Sequence, residues 1–300
     1  MWYSINRGWN FDRSLKFALL DRVCSRDFQE HIWSMPLVSG SNIVIGGGGA
    51  SSSGNLYVLD TSCNIVKTIS FSGHLKEGYL ADVDDNGNLD WVGGLTQPNG
   101  ENFAVVVMDI FVDPSPTTST LPLGTLSDIA GKNNVRSIIP ARLGGTAYGV
   151  FIETSQYQAD NYRQSFLSVV KLSNLYLVGR INLEGWNFSS AVAGDFDSAS
   201  GTEEIIVGLW SGGEKNPIYI IDLEKVSLRE EIKTALKTGE TVGSHALSVY
   251  NIDSQDYLEL LVGGNKGCFY VFEIMDKRSR QSVYSNHYRR DQNLNAVFPP

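Results

Sequence analysis

The chain has 300 residues, a formal net charge of −9, 30 Gly, 13 Tyr, 13 Phe and 6 Trp, with only 19% charged residues. The acidic balance argues against a nucleic-acid or anionic-membrane partner, because phosphate binding needs a basic face. Abundant Gly and aromatics suit many short strands joined by tight turns, and three Cys are too few and too odd in number for a disulfide framework.

From the N-terminus, Met1–Trp9 lacks the basic segment, apolar core and small-residue cleavage site of a secretory signal. No apolar run approaches the roughly 18 residues needed to span a bilayer, so membrane insertion is not expected. Ser14–Cys24 aligns with Gly54–Cys63, each reaching Asp three residues before a Cys. The alignment predicts that residues 1–35 are the later strands of a sheet whose first strand comes from the C-terminal Leu294–Phe298, which would protect two open edges. An amphipathic helix over residues 13–23 is the competing local reading. If the strand reading holds, Cys24 and Cys63 occupy matching turns of adjacent sheets, beyond the roughly 7 Å disulfide limit for Cα atoms, and free thiols are expected.

Residues 36–76 carry a strand at Asn42–Gly47, an alternating strand at Asn55–Asp60 and a more polar one at Ile65–Ser70. The Gly-rich run Gly46–Gly54 reads as a strand connection. A phosphate-cradling loop also needs a Lys-Ser/Thr pair and a following helix, and neither is present.

The next stretch, Leu80–Gly94, is the most informative in the chain. Acidic or amide side chains stand at Asp82, Asp84, Asn86 and Asp90, with Gly87 where the backbone must turn. Oxygen ligands at alternate positions, closed by a last carboxylate, are how a short loop wraps a hard cation. The closing acid comes at the ninth position rather than the twelfth of an EF-hand, and the apolar Leu89–Val92 follows at once. The loop therefore leads into a strand. The competing reading is a plain solvated turn, for which Asp, Asn and Gly are ordinary residues.

Further on, Asp195–Glu204 and Asn251–Glu259 start similar acidic loops, each followed by a strand ending in Gly: Ile205–Gly208 and Leu260–Gly264. The starts at 82, 195 and 251 fit a period of about 56 residues with one unit in between, which falls on Ser137–Ile152. That unit has flanking strands but no carboxylates in its turn. Each unit reads as four short strands, and one such sheet is too small to stand alone. The expected fold is all-β: a β-propeller of four-stranded antiparallel blades, six in number with five or seven as alternatives, closed by N- and C-terminal strands. The whole chain, residues 1–300, is read as a single domain with blades at 1–35 plus 291–300, 36–76, 77–131, 132–186, 187–243 and 244–290.

The run Asp82-Val-Asp-Asp-Asn-Gly-Asn-Leu-Asp90, followed by a strand closing in Gly, resembles the calcium loop of FG-GAP/VCBS repeats, as in integrin α-chain propellers. The resemblance implies Ca2+ as the bound ion, held by Asp82, Asp84, Asn86 and Asp90 with the carbonyl of Asn88. It extends to Asp195, Asp197 and Glu204 in the second loop, which is one residue longer, so its closing acid is not fixed by the pattern. In the third loop Asp256 replaces the turn Gly, and that loop reads as a hydrogen-bonded turn.

No catalytic constellation emerges. His31, His74, His245 and His287 show no metal-ligand spacing. His245, beside Ser244 and Ser248 at the start of a predicted inner strand, reads as structural. Glu153 and Asp160 cannot be paired from sequence as a glycosidase couple. Trp9, Trp186 and Trp210 could stack on sugars, although most such aromatics pack between sheets. Asp113–Pro122 and Ser155–Tyr162 are the loops best placed for recognition. The expected function is a non-enzymatic, calcium-stabilised propeller for protein–protein interaction, adhesion or self-assembly. A carbohydrate-binding propeller is the alternative, and a polysaccharide lyase or glycosidase comes third. The resemblance alone suggests a cell-surface or extracellular setting.

Overall fold

The computed structural model describes residues 25–28, 30–32, 34, 36–48, 53–124, 132–156, 163–185, 191–194, 196, 203–209, 218–232, 236, 241–250, 258–274 and 284–285. Every element among them is a β-strand, and no helix is long and apolar enough to cross a membrane. The first sheet comprises β1 (Leu37–Ser39), β2 (Asn42–Gly46), β3 (Gly54–Asp60) and β4 (Ile65–Phe71). The second comprises β5 (His74–Ala81), β6 (Asp90–Thr96), β7 (Asn102–Val107) and β8 (Thr118–Pro122). The third has β9 (Lys132–Leu143), β10 (Thr146–Gln156), β11 (Arg163–Lys171) and β12 (Tyr176–Glu184). The fourth has β13 (Ala191–Gly194), β14 (Glu204–Gly208), β15 (Ile218–Asp222) and β16 (Ser227–Ile232). The fifth has β17 (Val242–Tyr250), β18 (Leu258–Gly264) and β19 (Phe269–Ile274). Each sheet is an antiparallel meander with its strands side by side in chain order, and β20 (Tyr284–Ser285) adds to the free edge of β13.

The sheets stack face to face in the order of the sequence, because their strands are apolar on both faces. β6 shows this best: all seven of its residues are buried. Trp91 and Leu95 enter the core shared with the first sheet, whereas Val92 enters the core shared with the third. A third core joins the third and fourth sheets through Val150, Ile152, Ile205 and Val207, and a fourth joins the last two through Ile206, Val242 and Val262. Consecutive sheets approach each other most closely through their first strands, β5, β9, β13 and β17. This is the blade stacking of a β-propeller. The described residues form five sheets and no closed ring, so neither six blades nor terminal closure is established.

Glycines at the ends of the second strands have a packing reason. A Cβ on Gly94 would fall 2.7 Å from Cγ1 of Val135, and one on Gly208 would fall 2.7 Å from Cγ1 of Val242. At both places the first strand of the next sheet leans directly on the backbone.

Several sequence expectations meet a different arrangement. None of the described residues among 25–34 belongs to a strand. Ile32 bridges Gly47, the carbonyl of His31 accepts the N–H of Gly48 at 3.0 Å, and Glu30 accepts Asn55 Nδ2 at 3.1 Å and the hydroxyl of Tyr57. Burial, reinforced by Glu30, pushes the Tyr57 hydroxyl up to about 12. This segment thus lies against the first sheet. Cys63 is disulfide-bonded, whereas Cys268 is free, which corrects the expectation of a free thiol at Cys63. The radial separation behind that expectation assumed a strand preceding residue 25 in another sheet. Part of the insert at 113–122 is the outer strand β8 rather than a loop. Residues 1–24, with the proposed helix and Cys24, and residues 286–300, with the proposed closing strand, lie outside the described residues. So do Trp9, Asp160, Trp186, Trp210 and His287.

Candidate functional site: the Asp82 hairpin loop

The loop joins β5 to β6, and apolar residues pin it from both sides. Val83 is buried in the core between the second and third sheets, and Leu89 packs against the core between the first and second. Between these anchors the backbone turns tightly, with φ of 58° at Asp85 and 88° at Gly87. Asp tolerates the left-handed region better than most side chains, and Gly adopts it freely.

One ligand oxygen from each of Asp82, Asp84 and Asp90 lies within 4.8 Å of the others. Asp82 and Asp90 are buried, and Asp84 is exposed. Asp82 accepts the N–H groups of Asn86 at 3.0 Å and Gly87 at 2.8 Å, one on each oxygen. Asp90 accepts those of Val83 at 2.9 Å and Asp109 at 2.7 Å. Asn86 Nδ2 donates to Asp84 at 3.1 Å and to Asp109 at 3.2 Å, and Asn86 Oδ1 accepts the N–H of Asn88 at 2.7 Å. A self-satisfied acidic turn would make these same bonds. They do not use up the donor capacity, since each carboxylate oxygen has a second lone pair. Burial pushes the Asp90 carboxyl up to about 6; the two N–H bonds oppose that shift, and the charges of Asp84 and Asp109 add to it.

The donor set is all oxygen, two of the three carboxylates are preset by backbone bonds, and among the described residues no His or Cys joins the cluster. That chemistry fits a hard divalent cation. Of the residues expected to act together, the structure gathers Asp82, Asp84 and Asp90, with the Asn86 side chain bonded at their rim and Asn88 half-buried.

In the second expected site, Asp195 and Asp197 lie outside the described residues. Glu204 stands at the first position of β14, 1% exposed, and accepts the N–H of Phe196 at 2.8 Å. It pairs with Gly194 in register, as Asp90 pairs with Ala81 and Glu259 with Tyr250. The turn at 251–257 is outside the described residues, although Glu259 itself is buried.

Sequence reading missed two neighbours, Asp109 and Arg142, and left a third residue, Glu153, without its partners. Asp109 follows the third strand of its sheet, near where Asp60 and Asp222 close theirs, and that recurrence is the signal that marks it. Arg142 lies beside the carboxylate-free third hairpin. Its guanidinium meets Asp85 at 3.0 Å, and its backbone N–H donates to Glu203 at 2.8 Å, so it ties the loops of the second and fourth sheets together. Glu153, unpaired in the sequence, is 1% exposed and accepts Asn102 Nδ2 and Arg180 Nη2, both at 2.9 Å. Arg180 in turn lies over the ring of Phe166, 4.2 Å from its centroid. Glu153 is therefore part of a buried network between sheets rather than half of a carboxylate couple.

No protein-family model matches the chain, and no curated protein matches it, so the likeness to FG-GAP/VCBS repeats stays a resemblance. Among solved structures, an ACO/RPE65 chimera is similar at a TM-score of 0.45 and 9% identity, covering 86% of this chain and 62% of that one. A cobalt-substituted Synechocystis apocarotenoid oxygenase follows at 0.43 and 8%, with the same coverage. The Dos1 propeller is similar at 0.45 and 12%, covering 84% of this chain and 68% of that one. The chain thus spans about 62% of the length of the oxygenase structures it matches. At these identities and TM-scores no activity is carried over to this chain. The expectation of a non-enzymatic adhesion or assembly module is withdrawn; oxygenases stand among the similar structures, and no role is drawn from them. The neighbours' metals are no guide to the ion of the Asp82 loop.

Proposed function

We infer that the Asp82 loop holds a divalent cation, calcium by its oxygen-only donors, and that the ion fastens the β5–β6 hairpin of a propeller scaffold. Asp82, Asp84 and Asp90 would hold it, with Asn86 and the carbonyl of Asn88 completing the shell. The longer loop with Asp195, Asp197 and Glu204 would be a second site of the same kind. The ion would supply charge neutralisation and no chemistry. The reading rests on the convergence of three carboxylates within 4.8 Å, two of them buried. Without a cation each like-charge pair near 4 Å costs on the order of 1–4 kcal/mol, depending on screening. Six blades closed by the terminal segments would complete the scaffold. Calorimetric titration of chelator-stripped protein with calcium and, separately, magnesium tests the site. Saturable calcium binding that is lost in Asp82→Ala supports it, and absence of heat with both ions leaves only the hydrogen-bonded turn.

A further inference from the structure

The insert at residues 113–122 reads Asp-Pro-Ser-Pro-Thr-Thr-Ser-Thr-Leu-Pro, five hydroxyl residues set among three prolines. Apart from Leu121, which packs against the core between the second and third sheets, its side chains join none of the cores. Its backbone is nevertheless held in place. The carbonyl of Thr117 accepts the N–H of Met108 at 2.9 Å, that of Asp109 accepts the N–H of Asp113 at 3.0 Å, and Asp113 Oδ1 accepts the N–H of Ser115 at 2.8 Å. The Lys67 ammonium reaches over from the first sheet and donates to the carbonyls of Ile110 and Asp113. From Thr118 opposite Val107 to Pro122 opposite Phe103, β8 then pairs with β7 as the outermost strand of the second sheet.

The hydroxyl side chains, in contrast, face water. Strand alternation puts Thr118 and Thr120 on the side of the first sheet, with Val107 and Val105, and Ser119 on the side of the third, with Val106. All three are exposed, so neither neighbouring sheet reaches this far out. Ser115 and Thr117 are exposed as well. Among the described residues, none of these five hydroxyls takes part in a hydrogen bond within the protein. Other outer strands are less open: β4 alternates half-buried with exposed side chains, and β12 is mostly half-buried. Packing therefore does not account for the composition of β8. Nor does edge protection by charge, the usual device against pairing with another chain. β8 has no charged residue, and its proline stands only at its last position.

Two properties select among the chemistries open to an exposed hydroxyl. A phosphate would add about two negative charges beside Asp113 on a chain of net charge −9, while the nearby Lys67 ammonium is already held by carbonyls. A neutral sugar meets no such repulsion. Cys63 is disulfide-bonded, a mark of the oxidising compartments in which surface proteins acquire sugars. Ser and Thr interleaved with Pro is also the composition of segments that carry O-linked sugars.

We propose that Ser115, Thr117, Thr118, Ser119 and Thr120 are acceptors for O-linked sugars, which would cover the outer edge of β8. In the reaction a hydroxyl oxygen bonds to the anomeric carbon of a nucleotide-activated sugar. The bond from that carbon to the diphosphate breaks, the nucleoside diphosphate leaves with the electron pair, and the hydroxyl proton passes to a base of the transferase. The site does not depend on a cation in the Asp82 loop.

The test is peptide mass spectrometry of the full chain isolated from its native cells. The peptide spanning residues 113–122 should carry hexose or N-acetylhexosamine increments on these hydroxyls. That peptide wholly at its unmodified mass, or carrying phosphate instead, overturns the proposal. A variant combining Ser115→Ala, Thr117→Val, Thr118→Val, Ser119→Ala and Thr120→Val, made in the same cells, should lose the increments entirely, and full sugar mass on that variant also overturns it. If it fails to accumulate, Ser115→Ala with Thr117→Val leaves β8 intact and should abolish the increments at those two positions. Sedimentation checks the covering role: protein stripped of sugar by glycosidases under native conditions should self-associate at a lower concentration than untreated protein. Identical sedimentation before and after stripping overturns that role.

Discussion

Glu204 accepts the backbone N–H of Phe196 at 2.8 Å, from the first position of its strand back across its own hairpin loop. Asp90 does the same for Val83 at 2.9 Å in a loop one residue shorter. The extra methylene of Glu matches the extra residue of its loop. Shortening the side chain in Glu204→Asp should therefore orphan a buried N–H and cost about 1–3 kcal/mol in urea unfolding. Glu204→Gln keeps an acceptor of the right length and should cost less than half as much. Equal losses in the two variants would mean that charge, not reach, is what the position needs.

Asp82→Ala should lower the melting temperature in calcium and remove most of its sensitivity to chelator. A ligand that binds only the folded loop adds RT ln(1 + [L]/Kd), about 2.7 kcal/mol at a hundredfold excess over Kd. The wild-type protein should weaken in chelator yet stay folded, because the four buried cores do not pass through the ion. Wild-type melting that ignores chelator would contradict a stabilising cation.

The spacing of Asp82, Asp84 and Asp90 was legible in the sequence because a hairpin loop is local: its bonds span two to seven residues. The strand–Gly punctuation was legible too, but not its cause, since Val135 reaches Gly94 only after two sheets have stacked. Distance along the chain hid the rest. Asp109 meets Asp90 across 19 residues, Arg142 meets Asp85 across 57, and Asn102 meets Glu153 across 51. The free-thiol expectation, drawn from the alignment of Ser14–Cys24 with Gly54–Cys63, failed differently. The alignment matched local patterns and so implied free thiols, whereas Cys63 is bonded.

The cysteines give a direct chemical check. Cys268 is half-buried and free, so it should alkylate slowly in the native protein and fully on unfolding without reductant. Cys63 should label only after reduction, as read by peptide mass spectrometry. Labelling of Cys63 in unreduced, unfolded protein would restore the free-thiol reading.

The last prediction concerns the pair of Glu153 and Arg180, whose side chains are 2% and 22% exposed. Burial raises the Glu153 carboxyl above its ordinary value; the Arg180 charge is the largest influence pulling it back, and the bond from Asn102 helps. Removing the cation in Arg180→Leu leaves a buried carboxylate without its counter-charge. Breaking a buried pair this way costs about 3 kcal/mol, toward the low end because Arg180 is part-exposed. The sign of the pH dependence follows from the direction of the shift. A carboxyl raised in the folded state binds its proton more tightly there than in the unfolded chain, so its ionisation penalty is present above the folded value. The penalty fades as pH falls through that value toward the unfolded one. Arg180→Leu raises the folded value further, so the deficit of this variant should shrink when unfolding is repeated at an acidic pH instead of a neutral one. Glu153→Gln has no proton to take up at this position and should show no such recovery relative to wild type. Urea unfolding of the three proteins at both pH values measures this. A deficit in Arg180→Leu that is the same at both would show that the loss comes from packing against Phe166 rather than from a stranded charge.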